Sequence, residues 1–290
     1  MKTTPLRQRF IETLTIKGYS PRTLQSYVGA VYKLACYYQL SPDRLSDEQV
    51  RSFLYHLHSQ TRYSRSTLNV IVNALRCFYR EIVGRSLERI EFALPHPRKS
   101  QRRPQAYSVE ELHQLFDRGF TSPRYRTFFM TVYGAGLRLN EACHLKVKDI
   151  DSRRRLIRIE QGKGRKDRYS ILPERLLQEL RSYYRLYQPQ SLLFPSLRDP
   201  QRPLHDRAAQ VMFKKSLRRA QLPVKGGPHT LRHSFATHLI EMGVPLHVVK
   251  RLMGHTSVTT TAGYLHISRQ TLAAIPDPLE PMPWVQQALA

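Results

Sequence analysis

Apolar residues recur at helical spacing through most of the first hundred positions and again beyond residue 107, with one interruption where the period drops to two. Phe10, Leu14 and Ile16 mark a first amphipathic helix. Ser20 and Pro21 then supply an N-cap followed by proline at the first helical position. From Thr23 to Tyr38, Leu24, Tyr27, Val28, Val31, Tyr32 and Ala35 form a single apolar stripe. Ser46 with Gln49 three residues on is a capping box, which opens a third helix carrying Val50, Phe53, Leu54 and Leu57. A fourth helix follows Ser64, with Leu68, Ile71, Val72, Leu75, Phe78 and Tyr79 on its core face. Its other side carries Arg62, Arg65, Asn69, Asn73, Arg76 and Arg80, which is either a solvated face or one turned towards a polyanion. Residues 1–93 therefore read as a four-helix domain.

Residues 94–106 break the pattern: the run PHPRKSQRRPQ is basic and proline-containing and has no apolar side chain after Leu94, as in an extended linker. A second domain, residues 107–268, opens on the capping box Ser108 to Glu111 and a helix through Leu112 and Phe116. Pro123 starts another, carrying Phe128, Phe129, Val132 and Tyr133 and ending at Gly134-Ala135-Gly136, and a short helix follows Arg138. Alternation at Leu156–Ile159 and Tyr169–Leu172 around the turn Gly162–Asp167 predicts a small antiparallel sheet with a lysine-bearing tip. The remainder to Ser268 reads as helical, and residues 269–290 form a proline-rich tail with the only tryptophan, Trp284. The expected class is mainly α.

Charge narrows the function. Lys and Arg number 47 against 22 Asp and Glu, a net charge of +25 spread over both halves of a 290-residue chain. Such an excess points to nucleic acid and fits a clamp better than a basic tail. The three cysteines, Cys36, Cys77 and Cys143, are far apart and form no CxxC pair, so neither a disulfide framework nor a thiolate metal site is expected. The N-terminus lacks a signal-peptide core and no apolar run is long enough to span a bilayer, so a cytoplasmic protein without a membrane partner is expected. No GxxxxGK[ST] or GxGxxG run is present to bind a nucleotide.

The polar residues that carry chemistry are Arg138, Lys163, His229, Arg232, His255 and Tyr264. Two arginine forks match the oxygens of a phosphodiester and the charge that grows on a pentacoordinate phosphorus. His229 and Arg232 share a helix face at i and i+3. A tyrosine hydroxyl attacks phosphorus without metal or ATP, and a lysine on a hairpin tip supplies the leaving oxygen's proton. Singly, each residue has an ordinary structural reading. A zinc site at His229, His233 and His238 ranks low, because it lacks the glutamate of HExxH and any cysteine pair.

Taken together, GAGLRLNE, GKGRKDR, HTLRHSFATHL, LMGH and the tyrosine nine residues beyond that histidine closely resemble the catalytic signature of tyrosine recombinases, the phage-integrase and Xer-like family. The resemblance covers most of residues 107–268, and the preceding helices resemble that family's SAM-like core-binding domain. It implies a mostly helical catalytic domain with a three-stranded antiparallel sheet, and a C-shaped clamp on duplex DNA. By resemblance, Arg138 and Arg232 bind the scissile phosphate, His229 and His255 hydrogen-bond it and assist proton transfer, and Glu141 braces the site. Lys163, favoured over Lys166, protonates the 5′-oxygen, and Tyr264 becomes a 3′-phosphotyrosine. Arg62, Arg65, Asn69, Asn73 and Arg76 are the expected DNA-facing positions of the first domain. The resemblance further implies a homotetramer on two synapsed sites, exchange through a Holliday junction, no cofactor or metal, and a tail docking on a neighbouring protomer. Mobile-element integration or excision and Xer-like resolution both fit. A type IB topoisomerase and a non-cleaving DNA-binding regulator are the competing classes.

Overall fold

The computed structural model describes residues 4–61, 63–94, 105–160 and 167–254. The chain divides into two units, Met1–Arg102 and Arg103–Ala290.

In the first unit the serine signals place the helices. Helix α1 spans Pro5–Ile16, and α2, Pro21–Tyr38, is capped by Ser20, which accepts from the Thr23 N–H at 3.2 Å. Helix α3, Asp47–Gln60, has both halves of its capping box, at 3.2 and 2.8 Å. Helix α4, Arg65–Phe78, follows its Ser64 cap and runs into a π-helical turn, Tyr79–Val83, closed by Gly84. The core joins Phe10 and Leu14 to Val31, Leu34, Val50, Phe53, Ile71 and Phe78, with the Phe10 and Phe78 rings edge to face at 5.4 Å. Ile16 lies off this stripe and is 86% exposed. It sits two residues past Leu14, about 200° around the helix. A fifth helix, α5 at Leu87–Ala93, escapes the periodicity because it is two turns long and buries only Ile90 and Ala93. Leu94, where the linker was expected to begin, is buried in this core.

The second unit is built around α7. Helices α6 (Val109–Arg118), α7 (Pro123–Gly134) and α8 (Leu139–Cys143) precede the sheet. Residues Thr127–Gly134 of α7 are buried on every side, as expected for a helix packed on all faces rather than one. The sheet follows in the order β1 (Ile150–Asp151), β2 (Leu156–Ile159) and β3 (Arg168–Ile171), antiparallel, with Ile157 opposite Ser170. Helices α9 (Glu174–Tyr187), α10 (Asp206–Arg219), α11 (His229–Glu241) and α12 (Leu246–Met253) complete the described chain. Both α9 and α11 pack on α7.

The expectation of continuous helix to Ser268 fails between α9 and α10. There Pro189, Pro195, Pro200 and Pro203 remove donors and fix φ, and the chain runs irregularly with two isolated bridges, Lys146 to Leu192 and Pro195 to Pro203. Among the described residues no helix is long and apolar enough to cross a membrane. The linker residues 95–104 and the tail lie outside the described residues.

Candidate active site

The turn between α7 and α8 sets the first arginine. Gly136 has φ +59°, and a Cβ there would come within 2.4 Å of the Phe235 ring, so both backbone conformation and packing demand glycine. Ser170 of β3 donates its hydroxyl to the Ala135 carbonyl at 2.7 Å, pinning the sheet to this turn. Arg138 then opens α8. Its backbone N–H donates to Glu141 Oε2 at 2.7 Å and its Nη1 to Glu141 Oε1 at 2.7 Å, while Nη2 donates to the Gly254 carbonyl at 2.8 Å.

Arg232 reaches the same place from α11. Its side chain is buried, donating Nη1 to the Gly136 carbonyl at 2.6 Å and Nη2 to the Met253 carbonyl. Its Nη1 lies 3.7 Å from Glu141 Oε2. The two arginines that the signature separates widely in sequence therefore converge on Glu141 and on the last turn of α12.

A third guanidinium completes the cluster. Arg168, at the start of β3, holds both Glu141 oxygens at 2.6 and 2.8 Å and donates Nε to the Leu252 carbonyl at 3.2 Å. No role was assigned to it from sequence, although it closes the quoted GKGRKDR run. The signal was the strand alternation: Arg168 shares the face of buried Ser170, and a cation on a buried face needs a carboxylate partner.

The electrostatics follow from this crowding. Burial pushes the Glu141 carboxyl up, but the hydrogen bonds and charge of Arg168 and the hydrogen bonds of Arg138 outweigh it and bring the pKa down to about 2. Burial and the Arg138 charge lower Arg232 to about 9, which leaves it a cation at neutral pH. His229, at the first position of α11, is lowered by partial burial and by Arg232, His233 and Arg138, so it is neutral at pH 7. An arrangement of converging cations over one ionised carboxylate is suited to a phosphate anion.

Several expected site residues, Lys163, its alternative Lys166, His255, Tyr264 and Arg62, lie outside the described residues. On α4, Arg65 and Asn73 are exposed and Asn69 is half-buried. Arg76 instead turns towards the end of α5, donating Nη1 to the Leu94 carbonyl at 2.9 Å with Glu91 at 3.7 Å. His238 is buried and bonded to Tyr133 Oη at 2.8 Å, away from His229 and His233 at the other end of α11. No group of three His, Cys, Asp or Glu that could hold a metal occurs among the described residues.

Comparison with known proteins identifies the family. Residues 105–271 match the phage integrase family, and residues 6–89 match the phage integrase N-terminal SAM-like domain. The chain is 37% identical over 281 residues to the putative integrase/recombinase y4qK of Sinorhizobium fredii, covering 97% of this chain and 90% of that protein. It is 34% identical to the tyrosine recombinase XerA of Thermococcus kodakarensis, covering 91% of this chain and 92% of the other. In fold it is similar to a lambda integrase dimer bound to a core site, with a TM-score of 0.70 at 17% identity over 91% of this chain and 98% of that one. By its matched domains and its relatives, the chain belongs to the phage integrase family, as a tyrosine-type site-specific recombinase.

Proposed function

We propose that this recombinase cuts and rejoins duplex DNA through a phosphotyrosine at Tyr264. The observation that supports it most is the convergence of Arg138 and Arg232 over Glu141. Those guanidiniums take the non-bridging oxygens of the scissile phosphate, with His229 and His255 bonding alongside. The Tyr264 hydroxyl attacks phosphorus, its proton passing to a histidine; a Tyr264–phosphorus bond forms as the bond to the 5′-oxygen breaks, and Lys163 protonates that oxygen. Attack by a 5′-hydroxyl on the phosphotyrosine reverses the sequence, so the bond energy is conserved and neither ATP nor a metal is required. In this reading residues 1–93 are the core-binding domain, 94–106 the linker, 107–268 the catalytic domain and 269–290 a tail docking in trans. Four copies work on two synapsed sites, with exchange through a Holliday junction.

A nicked duplex, selected from a random library for binding to the protein, tests the chemistry by trapping a covalent protein–DNA adduct. The expected adduct forms in chelator and is lost in Tyr264→Phe. An adduct that persists in that variant, or that needs Mg²⁺, overturns the assignment. Exchange between two such sites separates recombination from the relaxation that a topoisomerase performs.

A further inference from the structure

Three guanidiniums meet one carboxylate in this centre, and Arg168 is the one without a part in the phosphate chemistry. A carboxylate offers about four lone-pair positions. Arg168 takes one on each oxygen of Glu141, at 2.6 and 2.8 Å, in the fork geometry that carboxylates bind most strongly. Arg138 is consequently left with a single side-chain bond to Glu141 and turns Nη2 to the Gly254 carbonyl, and Arg232 stands 3.7 Å off. The same Arg168 side chain also grips the Leu252 carbonyl in the last turn of α12.

We propose that Arg168 is a positioning residue: by holding Glu141 in a two-pronged grip it keeps that carboxylate from pairing face-on with Arg138 or Arg232, and so leaves both guanidiniums charged towards a DNA phosphate. The inference rests on the reading of Arg138 and Arg232 as phosphate ligands. With Arg168 in place, three cations face one anion; without it, two cations face a carboxylate whose freed oxygens compete with the phosphate for them.

The test compares the wild type, Arg168→Met, Arg168→Lys and the double variant Arg168→Met/Glu141→Gln in two assays. In the first, the covalent adduct is timed on nicked duplexes with either an ordinary phosphate or an uncharged methylphosphonate at the scissile position, each rate taken relative to wild type on the same substrate. Arg168→Met is expected to slow the phosphate substrate about tenfold or more and the methylphosphonate substrate less. The double variant is expected to recover most of the loss, because a neutral glutamine has no charge with which to sequester the clamp. Equal loss on both substrates, or a double variant no faster than Arg168→Met, overturns the proposal, since a purely structural brace predicts both. Should Arg168→Met fail to fold, Arg168→Lys, which keeps the charge but lacks the fork, carries the same substrate comparison with a smaller expected defect.

The second assay needs no cleavage: it follows the rise in Tm on adding inorganic phosphate at constant ionic strength. A smaller rise in Arg168→Met, restored in the double variant, supports the proposal, and an unchanged rise overturns it. If the wild type forms no adduct while phosphate behaves as expected, the chemistry assigned to Tyr264 fails and the role of Arg168 stands.

Discussion

The guanidiniums of Arg138 and Arg232 donate to the carbonyls of adjacent residues, Gly254 and Met253, although one arrives from α8 and the other from α11. These carbonyls belong to the C-terminal end of α12, where helix geometry leaves acceptors unpaired and the helix dipole is negative. The two cations thus satisfy acceptors at one helix end from two different elements.

Replacing Arg232 with lysine should expose how tightly it is built in. A single ammonium cannot span the Gly136 and Met253 carbonyls that the fork now joins. The expected loss is about 1–3 kcal/mol of stability, from one buried acceptor left unpaired, read by urea unfolding. Adduct formation should fall on the order of 10²-fold or more.

Glu141 gives the fold an acid-side dependence with a definite sign. Its pKa is about 2 in the folded chain against an ordinary 4.5, so the stabilisation it contributes is full above about 4.5 and is lost as the pH falls towards 2. Unfolding free energies measured across this window should decline more steeply in the wild type than in Glu141→Gln. Parallel curves would show that the carboxylate is not held as described.

His229 should set the acid limb of the reaction. It is held below its ordinary 6.5, so the neutral ring is available at pH 7 and is lost only at lower pH. By the same sign, any stability owed to the neutral ring is present above 6.5 and declines as the ring protonates in the folded state. Adduct formation should hold down to pH 6.5 and fall below it, and His229→Gln should flatten that fall. A limb unchanged in the variant would assign the titration elsewhere.

Gly136→Ala and Gly84→Ala form a matched pair. Both glycines have positive φ, +59° and +77°, and each alanine bears a left-handed backbone cost of about 1–2 kcal/mol. Only at Gly136 would the new Cβ also strike a neighbour, the Phe235 ring, whereas nothing lies within 4 Å at Gly84. Thermal unfolding should therefore show the larger drop in Tm for Gly136→Ala.

On α4, two arginines that look alike in sequence should behave differently. Arg65 is exposed, and Arg65→Ala should weaken DNA binding and reduce the slope of log K against log salt by about 0.9 with Tm unchanged. Arg76 ties α4 to the Leu94 carbonyl, so Arg76→Ala should lower the stability of the first unit. Titrations at several salt concentrations, paired with melting curves, separate the two.

Much of this protein was determined locally. Ser20, Ser46, Ser64 and Ser108 announce their helices because a cap satisfies donors within three residues of itself, and each cap is observed. Strand β2 follows from its alternation, whereas β3 runs Arg168–Ile171 rather than from Tyr169 to Leu172 and buries Ser170 and Ile171 in succession. The family signature, with Arg138, Arg232 and His229, is likewise legible because its pieces are short and contiguous. Tertiary structure alone decided the rest. It brought Arg168 across from β3 to Glu141, turned Arg76 towards α5, and placed the Phe235 ring against Gly136. Each of these depends on a partner distant in sequence, and a linear pattern records neither which partner a side chain reaches nor how many cations share one carboxylate.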